Sequence, residues 1–192
     1  MLSKNRSYRS YAHIYDAFKG DRSSSTQFIK GLIEKYRPAA RSILDLACGT
    51  GSLEQALAGE FDFVGLDRSP WMLKVARSKT PHVQFIQGDM AAFKLDRSFD
   101  IVTCLHNSVN HLLTFERLEQ TFHMAATHLH ANGLFIFDIN PSSLMDALTE
   151  QSPFIQQVNA DYVITQVFKA PTPGLYTWDV NLLLRRKNRY AV

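Results

Sequence analysis

The sequence predicts an α/β fold, a doubly wound and mostly parallel sheet with helices on both faces. Short apolar runs recur along the chain, helical patterns separate them, and the runs lack the regular polar alternation of strands that face water on one side. The chain has 192 residues, of which 45% are hydrophobic and 20% are charged. This composition is typical of one globular domain, or one domain with an appendage.

Four strands are predicted in the first part of the chain, with helices between them. Residues 52–58 read as a helix, because Leu53, Ala56 and Leu57 fall on one face. Ser69 and Pro70 predict the start of the next helix, since serine is a good N-cap and proline suits the first helical position. The predicted strands are residues 42–47, 62–67, 83–87 and 100–105.

A longer helix and a fifth strand follow. Apolar residues recur at helical spacing between Phe115 and Leu129, and Asn132-Gly133 is the expected helix stop. Residues 134–139 are an apolar run and are predicted as the fifth strand. These two elements complete the alternation that a parallel sheet requires.

The C-terminal part changes character and predicts a β-hairpin. After a helix around residues 144–148, two strand-like arms at 161–170 and 175–186 flank the turn sequence PTPG. In the second arm Trp178, Val180 and Leu182 alternate with polar residues, so one face of the arm is apolar. An isolated hairpin is marginal in water, and we expect this face to pack on the chain's own sheet or on a second copy.

The N-terminal part is predicted as a helical lid. Residues 26–36 have helical periodicity, and a tyrosine-rich stretch, SYRSYAHIYDAF, precedes them. The predicted organisation is a lid at residues 1–40, a core domain at 41–150 and a hairpin element at 151–192.

Charge and cysteine content narrow the function classes. The formal charge is +3, and basic clusters lie near both ends, where we expect solvated termini and not a nucleic-acid surface. We expect no signal peptide and no membrane span, hence a cytoplasmic protein. Two cysteines, Cys48 and Cys104, make neither a disulfide framework nor a metal quartet.

The glycine turn after the first strand, ACGTG at 47–51, favours a ligand other than a phosphate. A Walker-type loop needs a lysine after its last glycine, and here Ser52 follows. A dinucleotide fold needs a third glycine where Glu54 stands. The glycines still let the backbone come close to a ligand, although a tight structural turn would use them as well.

Two aspartates at the ends of the next strands make the ligand more specific. Asp67 ends the second strand, where a carboxylate can accept hydrogen bonds from both hydroxyls of a ribose. Asp89 follows the third strand, where a carboxylate can accept from an exocyclic amine. Each aspartate could also be a helix cap. Together with a glycine turn that does not hold a phosphate, however, the two aspartates predict a nucleoside ligand whose 5′ linkage is uncharged.

Four ordered segments resemble motifs I to IV of the class I S-adenosylmethionine-dependent methyltransferases. They are LDLACGTG, VGLDRSPWML, QGDMAAF and FDIVTCL, and the resemblance spans residues 11–140. CLHNSVNHL and LFIFDINP are similar to small-molecule members, including aminosugar N-methyltransferases. The resemblance implies a Rossmann-like fold and S-adenosylmethionine as cofactor. Compared with the usual seven-stranded sheet, the last two strands are either replaced by the hairpin or missing, and if they are missing the fifth strand has an open edge.

The resemblance also implies roles for individual residues. Asp67 would bind the ribose, and a tyrosine-bearing lid would close over the cofactor. Tyr11 and Tyr15 are the lid candidates, with packing aromatics as the alternative. The other implied cofactor residues are Asp45, Ala47 and Gly49 for the methionine moiety, Arg68 and Met72 for the adenine face, Asp89 and Met90 for the adenine edge, and Leu105 near the amine.

His111 is the candidate general base, since histidine titrates near neutral pH and a hydroxyl acceptor must lose its proton during attack. A surface or capping histidine is the alternative. Tyr15 is the second catalytic candidate, and the implied substrate residues are His106, Asn110 and Asn140. We expect Cys48 and Cys104 to be small core residues, not nucleophiles.

Three functions are compatible with these observations. The first is methyl transfer to a hydroxyl or amine of a small molecule. The second is methylation of nucleic acid or protein, although the fourth strand lacks the DPPY-type sequence that grips a planar amine. The third is cofactor binding without catalysis. We expect a small-molecule acceptor, no metal and no nucleic acid, and a homodimer through the C-terminal hairpin.

Overall fold

The computed structural model describes the backbone of residues 4–186 and 189–191, and the side chains of residues 11–186. The chain divides into two compact units, the first ending at Ile139 and the second beginning at Asn140.

Within the described residues, the first unit is built on a five-stranded parallel sheet in the order β3-β2-β1-β4-β5. The predicted α/β fold class is therefore confirmed. All five strands run the same way, so their carboxyl ends lie along one edge. The strands are β1 Ser42–Leu46, β2 Asp62–Asp67, β3 Gln84–Gln87, β4 Phe99–Cys104 and β5 Leu129–Phe137.

Helices connect and cover these strands. Helix α4 begins where the sequence predicts, because the Ser69 hydroxyl accepts from the Met72 N–H at 3.4 Å and Pro70 occupies the first helical position. Helix α5 is capped in the same way by Thr114, which accepts from the Arg117 N–H at 3.3 Å. The helices of this unit are α1 Lys4–Lys19, α2 Ser23–Tyr36, α3 Ser52–Ala56, α4 Pro70–Lys79 and α5 Phe115–Thr127.

The core explains why the strands read as continuous apolar runs. Leu44 of β1, Leu66 of β2 and Val102 of β4 are buried in one cluster, whereas Ile43 and Ile101 belong to a cluster on the other face. Successive strand residues point to opposite faces, so both faces of the central strands are covered.

The end of α5 differs from the prediction. The helix stops at Thr127, and Asn132-Gly133 lies inside β5, where the pairing with β4 shifts in register. Asn132 has a φ of 62°, and a Cβ on Gly133 would stand 2.7 Å from a methyl carbon of Leu129. The Asn-Gly pair therefore forms an irregularity inside the strand and does not end the helix. The sequence is ambiguous here, because left-handed backbone suits both a helix end and a strand bulge.

The second unit is a four-stranded antiparallel sheet with one helix among its described residues. The predicted hairpin is the central pair β7–β8, and β6 and β9 extend it to the order β6-β7-β8-β9. The elements are α6 Ser142–Gln151, β6 Phe154–Val158, β7 Asp161–Lys169, β8 Tyr176–Arg186 and β9 Arg189–Ala191.

Helix α6 covers part of the apolar face that the sequence predicts to need a partner. Asp146 of α6 accepts from the Tyr176 hydroxyl at 3.0 Å and pairs with the Lys169 ammonium at 2.8 Å. Lys169 shares its face of the sheet with Val167, which is buried, while Trp178 opposite Val167 stays 45% exposed. Helix α6 of the same chain therefore covers this face at β7, while Trp178 on β8 stays partly exposed to solvent.

Candidate active site

In the glycine turn after β1, Gly49 faces open space and Gly51 packs closely against α4. Ala47, Gly49 and Gly51 all have positive φ, at 57°, 58° and 71°. A Cβ on Gly51 would lie 3.0 Å from the Ala76 Cβ, so this glycine allows α4 to approach. A Cβ on Gly49 would meet nothing within 4 Å. Gly49 therefore presents its backbone to open space, as a ligand-binding turn requires.

Asp67 at the end of β2 is fixed against this turn. Its carboxylate accepts from the Gly49 N–H at 2.9 Å and from the Ser69 N–H at 2.7 Å. Burial raises the pKa of the Asp67 carboxyl, although these two N–H groups oppose the shift. The acid and the glycine turn form one rigid feature at the edge of the sheet.

Asp45 lies deeper, in β1. It is 5% exposed and accepts from the Thr103 hydroxyl at 2.6 Å. Burial raises the pKa of Asp45 to about 7, the Thr103 hydrogen bond opposes the shift, and the negative charge of Asp67 adds to it. The ionised acid is therefore stabilised by any cation placed beside it.

Glu54 of α3 is a second buried acid in the same region. It is completely buried, and neither side-chain oxygen has a hydrogen-bond partner within the part of the chain that the structure describes. Burial first, and then the charge of Asp45, raise the pKa of Glu54 far above its ordinary value. The neutral form is the one compatible with such a position.

Asp89 follows β3 and already has partners. Arg117 of α5 donates to both of its oxygens, at 2.6 and 2.5 Å, and the Ala91 N–H donates at 3.0 Å. Burial alone would raise the pKa of Asp89, but these donors outweigh it and the pKa is lowered. Met90 beside it packs in the core, with its sulfur 3.9 Å from the Cys104 sulfur.

The end of β4 carries the first histidine candidate. His106 and Asn107 both have left-handed backbone, with φ of 59° and 63°. Arg22, between α1 and α2, lies with Nη1 at 3.2 Å from His106 Nδ1. His106 is exposed to solvent as a residue. Desolvation, with the positive charge of Arg22, lowers the pKa of His106 to about 4.

His111, the other candidate, closes a short 3-10 turn at Ser108–His111. Desolvation lowers the pKa of His111, the charges of Arg68 and Lys19 lower it further, and Asp67 opposes them. The ring is therefore within electrostatic reach of the acid that ends β2. His111 is exposed to solvent as a residue, and the lowered pKa favours the neutral form that a proton acceptor needs.

The tyrosines of α1 reach the same region through Arg22. The rings of Tyr11 and Tyr15 meet edge to face, with centroids 5.2 Å apart. The Arg22 guanidinium lies 5.2 Å from the Tyr15 centroid. Arg22 Nη2 is buried and has no hydrogen-bond partner among the described residues. That nitrogen is a strong donor left available beside the site.

Known methyltransferases are similar to this chain in sequence. A family profile described as a methyltransferase domain matches residues 43–133. A Streptomyces venezuelae dTDP-3-amino-3,4,6-trideoxy-α-D-glucopyranose N,N-dimethyltransferase is 36% identical over 133 residues, which are 67% of this chain and 56% of that protein.

Solved structures give the same result. An S-adenosylmethionine-dependent methyltransferase from Clostridium acetobutylicum ATCC 824 superposes with a TM-score of 0.82 at 26% identity, over 96% of this chain and 78% of that one. Streptomyces venezuelae DesVI superposes with a TM-score of 0.72 at 28% identity, over 90% and 82% of the two chains.

In sequence and in fold the chain is similar to the class I S-adenosylmethionine-dependent methyltransferases. The predicted family is confirmed, and the aminosugar branch is the part of it that these relatives represent. The chain spans between 44% and 63% of the length of the curated relatives that match it first.

The other predicted site residues take varied positions. Arg68 is exposed, whereas Met72, in the first turn of α4, is only 4% exposed. Leu105 is 9% exposed, and its carbonyl accepts from the Ser108 hydroxyl at 2.7 Å. Asn110 is exposed on the 3-10 turn, and Asn140 belongs to the second unit.

The two cysteines are poor nucleophiles in this setting. Burial raises the pKa of both thiols, and nearby carboxylates raise it further. The reactive thiolate is therefore disfavoured at neutral pH.

Sequence reasoning missed four polar residues near the site. Arg22 and Arg117 are basic residues in helical surroundings, and nothing in the sequence separates them from solvated charges. Asp16 adjoins a lid tyrosine, which was a usable signal. Asp138, which accepts from the Asn107 N–H at 2.9 Å, ends the fifth strand and follows the same rule as Asp67.

Among the described residues, no group of three or more histidine, cysteine, aspartate or glutamate side chains could hold a metal ion. Likewise, no helix in the described ranges combines the length and the hydropathy needed to cross a bilayer.

Proposed function

We propose that this protein transfers the methyl group of S-adenosylmethionine to an amine or hydroxyl of a small molecule, with an amine of an amino sugar favoured. The observation that carries the proposal is the row formed by Asp45, the glycine turn, Asp67 and Asp89 at the ends of three adjacent strands. The relatives that methylate amino sugars support the amine.

The residues fit the cofactor in charge as well as in position. Asp45 is a buried acid whose ionised form gains from a nearby cation, and the methionine moiety carries an ammonium group. Arg22 Nη2, the buried donor without a described partner, suits a carboxylate. Gly49 leaves open space for this moiety. When bound, the cofactor supplies an electrophilic methyl group on a sulfonium.

The nucleoside would be held at the next two strands. Asp67 accepts two backbone hydrogen bonds and keeps acceptor capacity for a ribose hydroxyl. Asp89 would read the adenine amine, and Arg117 would hold its carboxylate in orientation during binding.

In catalysis the protein would orient the acceptor and remove its proton. Charge spreads in a methyl transfer from a sulfonium to a neutral nucleophile, so alignment and exclusion of water matter most. His111, kept neutral by its surroundings, would accept the proton of a hydroxyl or of a protonated amine. Tyr15 would line the acceptor side together with His106 and Asn110.

The second unit would serve dimerisation. Trp178 is 45% exposed on β8, beside a face that α6 covers only in part. A two-fold axis would let identical surfaces cover each other. Light scattering should then report a dimer, and Trp178→Asp should give monomers. A wild-type monomer would reject this part of the proposal.

Calorimetry with S-adenosylhomocysteine, followed by labelled methyl transfer to a panel of amino sugars, tests the main proposal. Micromolar-range binding and transfer are the expected results. Equal or tighter binding of NAD would reject the cofactor assignment. Cofactor binding without transfer to any amine or hydroxyl would indicate a binding protein instead of an enzyme.

A further inference from the structure

Asp16 of α1 makes polar contacts to two other parts of the first unit. Its Oδ1 accepts from the Thr50 hydroxyl at 2.5 Å and from the Ser52 hydroxyl at 3.3 Å. Its Oδ2 accepts from the Lys79 ammonium at 2.7 Å. One carboxylate therefore joins the N-terminal helix both to the glycine turn and to the end of α4.

These contacts are partly shielded from water. Thr50 is 1% exposed, and the Lys79 side chain is 18% exposed. Burial opposes the charge of Asp16, but Lys79 and the two hydroxyls outweigh it and lower the pKa. The carboxylate is thus ionised at neutral pH, and charge-assisted hydrogen bonds are the stronger kind.

The contacts have a direct consequence for Tyr15, which precedes Asp16 on the same helical turn. Tyr15 stacks under the Arg22 guanidinium, and Arg22 reaches His106 at the end of β4. A change in the position of Asp16 would shift Tyr15 and Arg22 together. Thr50, meanwhile, lies between Gly49 and Gly51, so the same carboxylate also fixes the glycine turn.

We propose that Asp16 is a positioning residue, which seats the tyrosine-bearing helix on the glycine turn and so sets the affinity for the cofactor. The proposal rests on the proposed function, since the glycine turn is taken as the methionine site. It adds a residue that contacts neither cofactor nor acceptor and acts through Thr50, Tyr15 and Arg22.

Hydrogen exchange of the amides at 11–19, with and without S-adenosylhomocysteine, tests the proposal together with calorimetry. Asp16→Asn should weaken binding about 10- to 100-fold, the scale of a lost charge-assisted hydrogen bond. It should also abolish ligand-dependent protection of these amides. Thr50→Val, which removes a donor and leaves Asp16 in place, should act in the same direction, and Asp16→Glu should restore part of the affinity.

Lys30→Met is the matched control. It removes the Lys30–Glu60 ion pair, 2.6 Å long and more exposed than the pair at Asp16, elsewhere in the first unit. Affinity and protection should stay at their wild-type values. If Asp16→Asn lowers the melting temperature but leaves both unchanged, Asp16 only stabilises the fold and the proposal is overturned.

Failure of the proposed function would look different. A wild-type chain that does not bind S-adenosylhomocysteine would reject the cofactor site. In that case the unliganded protein decides about Asp16. If the amides at 11–19 exchange at least about tenfold faster in Asp16→Asn than in the wild type, Asp16 holds the N-terminal helix on the glycine turn. Equal exchange rates in the two proteins overturn the proposal.

Discussion

Two site acids of the first unit and one acid of the second unit have pKa values that are shifted in opposite directions. At the site of the first unit, Asp45 and Asp67 are enclosed by a parallel sheet and its loops, and burial raises the pKa of both. In the second unit, Asp146 lies on the surface of a small antiparallel sheet. Its bonds to Lys169 and Tyr176 lower its pKa.

This difference indicates where a ligand can act. An acid with a raised pKa is ionised at a cost in free energy, and a cationic ligand offsets that cost. An acid with a lowered pKa already has its partners within the protein. Ligand-dependent behaviour should therefore come from the first unit, and substitutions in each unit can test the contrast.

The largest effect is expected from His111→Ala. If His111 takes the proton of a hydroxyl acceptor, kcat should fall about 10²–10⁴-fold while cofactor affinity stays nearly intact. If the acceptor is an amine, the loss should be much smaller and mostly in substrate binding. Steady-state kinetics on a verified acceptor distinguish the two, and unchanged kinetics would assign His111 a surface role.

Asp67→Ala should have the next largest effect. Loss of the carboxylate removes the acceptor for the ribose and releases the Gly49 N–H, so S-adenosylhomocysteine should bind more weakly by about 1–3 kcal/mol. Calorimetry measures this directly. Asp146→Ala is the corresponding change in the second unit, and its affinity should match the wild type.

The contributions of Asp45 and Asp146 to the pH dependence of stability should differ in sign. Because the folded pKa of Asp45 is about 7, above its ordinary value of 3.8, the wild type should lose stability as pH rises between these values. Asp45→Asn, which keeps the carbonyl acceptor for Thr103, should melt higher than the wild type at pH 8. The two should converge toward pH 4.

Asp146→Asn should show the reverse pattern. Its folded pKa is lowered, so its contribution to stability is present above the ordinary pKa and is lost as pH falls through the folded value. The variant should melt slightly lower than the wild type at pH 7, with convergence in acid. If thermal scans show that Asp45→Asn and Asp146→Asn both shift the melting temperature in the same direction near neutral pH, the contrast between Asp45 and Asp146 is wrong.

The smallest effect is expected from Lys169→Met. The Lys169–Asp146 pair is exposed, and pairs of this kind contribute little. Melting temperature and affinity should both stay close to wild-type values. A clear loss of cofactor affinity would show that the second unit takes part in cofactor binding.

The sequence by itself determined the parallel sheet, the helix start at Ser69-Pro70 and the row of groups at the strand ends. Periodicity and capping are local signals, and parallel strands bring their carboxyl ends to one edge whatever the loops do. Asp67 and the glycine turn could therefore be placed near each other without any structure.

Only the tertiary structure decided which charges meet. Arg117 and Asp89 are 28 residues apart, Thr50 and Asp16 are 34 apart, and Arg22 and His106 are 84 apart. No local pattern distinguishes such a residue from a solvated one. The end of α5 and the irregular start of β5 were decided in the same way, because left-handed backbone at Asn132 fits either element until β4 supplies the pairing.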